Sequence, residues 1–385
     1  MEQKTSIAPT TALVDCARIF AAIELSKKTW LLAIYRPSLD RTSQYRVKPG
    51  DAAHLLELLG RARQQEEQAL GQTIGVSCCY EASYDGFWLH RQLEAAGVEN
   101  FVIDPTSLLV NRRARRAKTD RIDVRGLLRS LIAWLRGDKD VCRMVHPPSP
   151  AEEDARRTHR ERQRLIKERV GHVNRIKGLL ATQGIYDHQP IHKDRRQAFA
   201  ELRTADGEPL PSRLRQELER ELTRLELVLD QIRQVEAERD AVLDAAKHNE
   251  TNVMAQLIKL KSIGPEAATI LGLEMFYRDF TNRRQVAAYA GLTPSPFDSG
   301  FKNRDQGISK AGNALVRKTL IEIAWIWLRW QPDSALSQWF KQRTTHQKSR
   351  GLRINIVALA RKLLIALWRF VTTGVVPEGA VLKAA

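Results

Sequence analysis

The chain has 385 residues, of which 43% are hydrophobic and 28% charged, and its formal net charge is +17. This composition excludes a disordered or fibrous chain and fits a globular protein of two or three domains. Because the positive charge is spread over several blocks of sequence, it predicts a polyanionic partner, most simply a nucleic acid.

The cysteines and the apolar segments indicate the cellular compartment of the protein. The chain has four cysteines, Cys16, Cys78, Cys79 and Cys142. They form no C-x-x-C pair, which argues against a zinc site and favours a reducing compartment. The N-terminus lacks the basic-then-apolar pattern of a signal peptide, and Arg361 and Lys362 interrupt the apolar C-terminal stretch. We therefore expect a cytoplasmic protein with no membrane segment.

Residues 1–148 alternate between short β-type runs and helical runs. Strands are predicted for the segments IFAAIEL, TWLLAIY, SQYRV, TIGVSCCYEA and VENFVID. Apolar residues at helical spacing predict helices over 52–70 and 87–96. This alternation is typical of an α/β domain in which helices pack on a sheet.

Residues 149–250 carry no strand signal and predict two long charged helices around a proline-containing loop. In the second helix, apolar residues step by four and three along one seam, at Leu218, Leu222, Leu225, Leu229 and Ile232. Such a seam is typical of a short coiled coil. An antiparallel hairpin and a dimerising arm both explain it.

Residues 251–385 predict a mainly helical third domain with tight turns at SIGPEAA, GLTPSPFDSG and GISKAGN. Its segment IEIAWIWLRW holds Trp325, Trp327 and Trp330 at helical positions. We interpret these tryptophans as core or oligomer contacts and not as platforms for stacked bases.

Two aspartates interrupt the most basic stretch, RRARRAKTDRID. Asp120 and Asp123 precede apolar residues at helical spacing, so they start a helix and lie on one face of it, with Cβ atoms about 5 to 6 Å apart. Two carboxylates at this distance repel unless a cation lies between them. A divalent metal ion that prefers oxygen ligands is the cation expected to bind between them.

Two glutamates follow predicted strands. Glu24 ends the run FAAI, and Glu81 ends the run VSCCY. A carboxylate among apolar strand residues costs free energy unless it is ligated or paired. Taken singly, each could be paired with an arginine or face water at a strand end. Taken with Asp120 and Asp123, they predict one acidic site.

The segments AAIELSKKTW, CYEASYDGFWLHRQL and RRAKTDRIDVRGLLR resemble the RuvC-like, RNase H-type domain of DEDD transposases of the IS-one-ten insertion-sequence family, also known as bridge-RNA-guided recombinases. The resemblance implies that Glu24, Glu81, Asp120 and Asp123 are catalytic and hold Mg²⁺ or Mn²⁺. The family motif begins with Asp, whereas this chain has Glu24. The extra methylene displaces the carboxylate by about 1.5 Å, which the octahedral geometry of Mg²⁺ does not readily accept.

The segment AGLTPSPFDSGFKNRDQGISKAGNALVRKTL resembles the second domain of this family, whose nucleophile is a serine before glycine. Ser299 is the matching residue, and Ser295 is the competing candidate. From the residues alone, PFDSG predicts a turn. A cluster that could clamp a phosphate follows it, namely Lys302, Arg304, Lys310, Asn313 and Arg317.

No histidine stands near Ser299 in the sequence to activate its hydroxyl. A metal held by the acidic domain could lower the pKa of the hydroxyl and stabilise the charge on phosphorus. The two domains would then be halves of one site, as the resemblance also implies.

Two further segments predict contacts to the phosphate backbone. LIKLKSIGPEAATIL resembles a helix-hairpin-helix, in which Ser262 replaces the first of two usual glycines and Gly264 retains the second. A Gly-Pro turn between two packed helices has the same pattern. The second segment supplies the cations Arg112, Arg113, Arg115, Arg116, Lys118 and Arg121.

These observations predict a DNA transposase or recombinase that forms a covalent phosphoserine link. By resemblance, donor and target DNA are chosen by a structured guide RNA, and the protein is a homodimer or homotetramer. One rival is a metal-dependent nuclease of the junction-resolvase type, in which water replaces Ser299. Another is a catalytically decayed nucleic-acid-binding protein, disabled by Glu24.

Overall fold

The computed structural model describes residues 18–108, 120–299 and 302–383, with only the backbone of 297–299 and 302–305. The chain divides into two compact units, Met1–Ser149 and Pro150–Ala385. The second unit therefore contains both the charged helices and the C-terminal helices that follow them.

The first unit is built on a mixed sheet with the strand order β3-β2-β1-β4-β5-β6 in the described part of the chain. The strands are β1 (Arg18–Glu24), β2 (Trp30–Arg36), β3 (Arg41–Val47), β4 (Gly75–Glu81), β5 (Glu99–Ile103) and β6 (Met144–Val145). β1, β2 and β3 pair antiparallel, β4 pairs parallel with β1 and β5, and β6 adds antiparallel to β5. The five strands predicted from the sequence are confirmed, and β6 is additional.

Helices cover both faces of this sheet. They are α1 (Ala52–Leu70), α2 (Trp88–Ala95) and α3 (Asp120–Leu135), and short 3₁₀ turns occupy Pro37–Leu39 and Pro105–Ser107. Alternate residues of β1 enter two different cores: Ile23 packs with residues of α1 and α2, whereas Phe20 and Ala22 pack with residues of α3. A strand buried on both faces is apolar throughout, which explains the run IFAAI.

The second unit is mainly helical. Its helices are α4 (Pro150–Ala155), α5 (Arg157–Ala181), α6 (Arg195–Ala200), α7 (Ser212–Ala246), α8 (Val253–Ile258), α9 (Pro265–Glu274), α10 (Arg283–Tyr289), α11 (Ala314–Trp330), α12 (Ala335–Thr344) and α13 (Ser349–Thr373). A two-stranded hairpin joins β7 (Pro294–Ser299) to β8 (Lys302–Ile308). Along the described ranges, no helix combines the length and apolar character that crossing a bilayer requires.

Helices α5 and α7 form an antiparallel hairpin. Ion pairs join Arg162 to Glu236 near one end and His172 to Glu221 further along, so the residue numbers run in opposite directions on the two helices. The predicted leucine seam of α7 is buried against α5 at Leu218, Leu222 and Leu225. The hairpin explanation of the seam is therefore realised within one chain.

The tryptophans of α11 differ in their surroundings. Trp327 is fully buried, and its Nε1 donates a hydrogen bond to Ser334 Oγ at 2.8 Å. Trp325 and Trp330, in contrast, are 48% and 46% exposed. The interpretation of this segment as core therefore holds for Trp327 only.

A buried carboxylate connects three helices of the second unit. Glu274, at the end of α9, is 3% exposed. It accepts hydrogen bonds from His159 Nε2 at 2.8 Å, from Arg160 Nε at 2.6 Å and from Asn313 Nδ2 at 3.2 Å. Burial alone would raise the pKa of Glu274, but the hydrogen bonds and charges of His159 and Arg160 outweigh it and lower the pKa to about 2.

We predict that Glu274→Gln lowers the free energy of unfolding at pH 7 by about 3 kcal/mol, because the buried side chain of residue 274 loses its charge and with it the charge-assisted hydrogen bonds to His159 and Arg160. The folded pKa lies below the usual value of 4.5, so this stabilisation is present above pH 4.5 and is lost as the pH falls toward 2. Urea titrations at several pH values measure both effects.

The matched control is Glu266→Gln on the same helix. Glu266 also pairs with two arginines, Arg162 and Arg239, but its side chain is 26% exposed. We expect a smaller loss than for Glu274→Gln, because the carboxylate of Glu266 is more exposed than that of Glu274 and keeps part of its hydration. Equal losses for the two variants would contradict the importance assigned to Glu274.

Candidate active site and nucleic-acid interface

Glu24 and Glu81 end neighbouring strands. β1 and β4 pair in parallel with Ile23 opposite Tyr80, and the next residue of each strand is its glutamate. Because parallel neighbours lie about 4.8 Å apart, the two glutamates lie side by side at the carboxyl edge of the sheet. They share the face of Ala22, which packs on α3. Both glutamates are partly buried.

Helix α3 begins at Asp120, as the sequence predicted. Asp120 is exposed and Asp123 partly buried, and both lie in the first turn, where the helix dipole favours negative charge. One turn further along, Leu127 is buried against the sheet, and its carbonyl accepts a weak hydrogen bond from Cys79 Sγ at 3.7 Å. Both aspartates therefore belong to a helix that packs on the face carrying Glu24 and Glu81.

The two carboxylate pairs do not form one closed ligand set in this structure. Within the described ranges, no group of three or more His, Cys, Asp or Glu side chains is placed to hold a metal ion. The chemistry of the donors suits Mg²⁺ or Mn²⁺, because all four predicted ligands are carboxylates. Their placement provides two pairs on one side of the sheet, and the metal site stays a prediction.

Most of the predicted phosphate-binding cations before α3 fall outside the described residues. These are Arg112, Arg113, Arg115, Arg116 and Lys118. Arg121 is described, and it is exposed in the first turn of α3. A cation at this position lies beside the two aspartates along the helix.

Ser299 is the last residue of β7 and pairs with Lys302, the first residue of β8. The prediction of a turn over PFDSG is therefore wrong for its first four residues, which are in a strand. The turn propensity of these residues was overridden by cross-strand pairing with β8, which single-residue propensities do not include. The side chains of Ser299, Lys302 and Arg304 are outside the described part, and their predicted roles stay predictions.

The remaining members of the predicted phosphate clamp have structural contacts. Asn313 caps α11 by accepting hydrogen bonds from the backbone N–H groups of Leu315 and Val316. Arg317 Nη1 donates to the carbonyl oxygens of Ala290 and Lys310, both at 3.1 Å. These bonds fix the loop between β8 and α11, and the sequence assigned none of them. Lys310 itself is exposed.

The predicted helix-hairpin-helix consists of α8 and α9. Gly264 is the N-cap of α9 in extended conformation, and a Cβ there would meet no atom within 4 Å. Ser262 is 3% exposed, and in the described part of the chain its Oγ has no hydrogen-bond partner. Its hydroxyl therefore does not face solvent, so a phosphate at this turn would meet backbone groups or other side chains.

Carboxylates paired at a sheet edge, a serine at the tip of a hairpin and a large positive charge are typical of proteins that act on the nucleic-acid backbone. Residues 254–339 match the model described as "Transposase IS116/IS110/IS902 family". This segment includes the helix-hairpin-helix, the β7–β8 hairpin and α11.

Curated relatives extend the likeness over the whole chain. A Sinorhizobium fredii protein named "Putative transposase y4rJ" is 49% identical over 385 residues, 98% of this chain and 97% of its own length. The transposase for insertion sequence element IS1111A of Coxiella burnetii is 26% identical over 74% of both chains. The transposase for IS1328 of Yersinia enterocolitica is 29% identical over 60% of this chain and 68% of its own. The chain belongs to the IS-one-ten (IS110) family of insertion-sequence transposases.

The glycine of the motif ISKAGN supports a stability prediction. Gly312 has φ = 133°, and a Cβ there would lie 2.4 Å from the carbonyl oxygen of Tyr289. We expect Gly312→Ala to lower the free energy of unfolding by at least about 2 kcal/mol, because backbone atoms must move. Urea denaturation checks this.

Gly307→Ala is the matched control. Gly307 also has a positive φ, 84°, but a Cβ there would meet no atom within 4 Å. We expect a loss of about 1 kcal/mol from backbone strain alone. If both variants lose the same amount, the close approach at Gly312 has no energetic weight.

Proposed function

We propose that this transposase cuts and rejoins DNA through a covalent bond to Ser299, assisted by Mg²⁺ or Mn²⁺ held by Glu24, Glu81, Asp120 and Asp123. The observation that carries the proposal is the parallel register that sets Glu24 beside Glu81 on the α3 face. We also propose an RNase H-like fold for the first unit. It is supported by the antiparallel β1-β2-β3 strands, the parallel β4 and β5, and the acids at the ends of β1 and β4.

The chemistry is a pair of exchanges at phosphorus. The Ser299 oxygen bonds to phosphorus and loses its proton to a base, while the bond from phosphorus to one deoxyribose oxygen breaks and that oxygen takes up a proton. The hydroxyl of a second DNA end then attacks the phosphoserine, which releases Ser299 and joins the strands. Since each step exchanges one phosphoester for another, no external energy source is required.

Ser299 needs help to become a nucleophile, because a neutral hydroxyl is weakly nucleophilic. The fold brings His159 into the second unit's core, but its side chain is fully buried against Glu274, so it is unsuited to act as a base at the surface. A bound divalent ion would supply positive charge that lowers the pKa of the hydroxyl. For this reason we propose that the acids and the serine form one composite site.

The guide RNA and the assembly are proposed on the family resemblance. We propose that base pairing to a structured RNA selects the DNA sites, and that the active form is a homodimer or homotetramer. The cations of the chain support this division of labour, since they suit contacts to phosphate, which fix position without reading sequence.

A catalytically decayed binding protein is the second candidate, and one observation favours it. Residue 24 is a glutamate, whose side chain is one methylene longer than the aspartate of the family motif. This candidate requires salt-sensitive DNA binding without strand cleavage. Restored cleavage in Glu24→Asp would identify residue 24 as the cause.

Ser299→Ala is expected to abolish both strand joining and a detergent-resistant protein–DNA adduct, because no other group forms the phosphoester. The measurement is a denaturing gel of protein, labelled element-end DNA, flanking-region RNA and Mg²⁺. Ser295→Ala, four residues earlier in the same strand β7, is the matched control and should retain the adduct. Cleavage without an adduct in the wild type would instead indicate a nuclease that uses water.

Metal binding is tested without catalysis. We expect millimolar Mn²⁺ to raise the melting temperature of the wild type by a few degrees, since a ligand that binds only the folded state stabilises it. Glu81→Gln and Asp123→Asn should reduce this shift, whereas Glu57→Gln, which removes an exposed glutamate of α1 paired with Arg61, should retain it. A shift that is identical in all four proteins would exclude Glu81 and Asp123 as ligands and contradict the proposed four-carboxylate site.

A further inference from the structure

The turn between α8 and α9 is paired with the C-terminal segment of the chain. Lys261 N donates to the carbonyl of Val381 at 3.2 Å, and Lys383 N donates to the carbonyl of Lys259 at 2.7 Å. The ammonium of Lys383 also donates to the carbonyl of Ile263 at 2.8 Å. These three bonds bring the side chain of Lys383, distant in sequence, to the turn of the helix-hairpin-helix.

Gln331 fixes this segment to the end of α11. It is 1% exposed, and its side chain makes both possible bonds to one residue: Nε2 donates to the carbonyl of Val381 at 2.8 Å, and Oε1 accepts from Val381 N at 2.7 Å. Its chain neighbour Trp330 therefore lies at the junction of α11, the C-terminal segment and the turn.

Trp330 is an exposed ring between two cations. It is 46% exposed, with the Lys261 ammonium 5.6 Å and the Arg329 guanidinium 5.5 Å from its centroid. These distances permit cation–π attraction, which orients the ring without covering it. Among the described residues, what distinguishes Trp330 from the equally exposed Trp325 is this pair of neighbouring cations.

The surface formed by Lys261, Arg329, Trp330 and Lys383 is positively charged. In the described part of the chain, Lys261 and Arg329 contact the Trp330 ring, and Lys383 donates to the backbone carbonyl of Ile263. Neither kind of partner cancels a positive charge. Burial lowers the pKa of Lys383, because its ammonium is partly removed from water. An anion at this place would compensate that loss of hydration.

We infer that Lys261, Arg329, Trp330 and Lys383 form a binding surface for single-stranded DNA, with an unpaired base on the Trp330 ring and backbone phosphates on the cations. An aromatic ring with cations near it is complementary to a nucleotide, because the base can stack on the ring while the neighbouring phosphates contact the cations. Unpaired bases are required, because the faces of paired bases are stacked within the duplex. The inference rests on the proposed reaction for the choice of DNA, since cutting and exchange of strands expose such segments.

The test is fluorescence anisotropy of a labelled oligothymidylate in EDTA, which prevents cleavage. We expect Trp330→Ala to raise the Kd about tenfold, the loss of one stacked base, and Trp330→Phe to retain most of the affinity. Trp325→Ala is the matched control. Trp325 lies on the same helix and is 48% exposed, but in the described part of the chain its ring contacts Phe340 and no cation. It should leave the Kd within about twofold, the scatter of a neutral surface change.

The cations give an independent readout. Lys261→Ala and Lys383→Ala should each weaken binding and reduce the slope of log Kd against log salt by about 0.7, the value for one phosphate on a single strand. Ser299→Ala should bind like the wild type, so failure of the phosphoserine proposal and failure of this surface give different results.

Three results would overturn the inference. Equal Kd values for Trp330→Ala and Trp325→Ala would remove the ring from binding. If Trp330→Ala weakened binding of duplex DNA equally, the surface would be assigned to duplex DNA. If it weakened binding of oligouridylate only, the surface would be assigned to RNA. A change of oligomeric state by light scattering in Trp330→Ala, with unchanged oligothymidylate binding, would assign it to contact between copies of the chain.

Discussion

The first unit depends on the parallel register between β1 and β4. With Ile23 opposite Tyr80, the alternation of side chains directs Glu24 and Glu81 to the α3 face, while their apolar neighbours enter the opposite core. A slip of either strand by one residue would exchange the faces of its whole side-chain set. The same hydrophobic burial that folds the sheet therefore aligns the two carboxylates, and no separate interaction is needed to position their backbone.

In the second unit, Glu274 has the corresponding role. Its carboxylate ends α9 and joins His159 and Arg160 of α5 to Asn313, the cap of α11. The long α5–α7 hairpin and the loop after β8 are thus oriented by one buried anion. A rotation of α5 would disturb the cap of α11, and the Ser299 hairpin is connected to that cap by only the residues 309–312.

The sequence predicted well whatever depends on local periodicity. The apolar runs around Ile23 and Tyr80 specified strands, and the charge pattern before Leu127 specified the start of α3 at Asp120. It failed at the β7–β8 hairpin, where the residues before Ser299 have turn propensity but form a strand by pairing with residues 302–308, which follow directly. It also could not foresee that Lys383 returns to the turn of α8 and α9, because such closure has no local pattern.

The net charge alone does not separate cations that are neutralised within the fold from cations that can bind a polyanion. The Nη1 of Arg317 donates to two backbone carbonyls, which leave its positive charge in place, whereas Arg160 neutralises a buried carboxylate. Both cations stabilise the fold, but neither contact lowers the net charge of +17, because that count already subtracts Glu274 and a backbone carbonyl carries no charge. Lys261 and Lys383, which the sequence did not single out, lie beside an exposed ring instead. What distinguishes a cation that is neutralised within the fold from one that is available to phosphate is whether its partner carries a negative charge, and that depends on contacts distant in sequence.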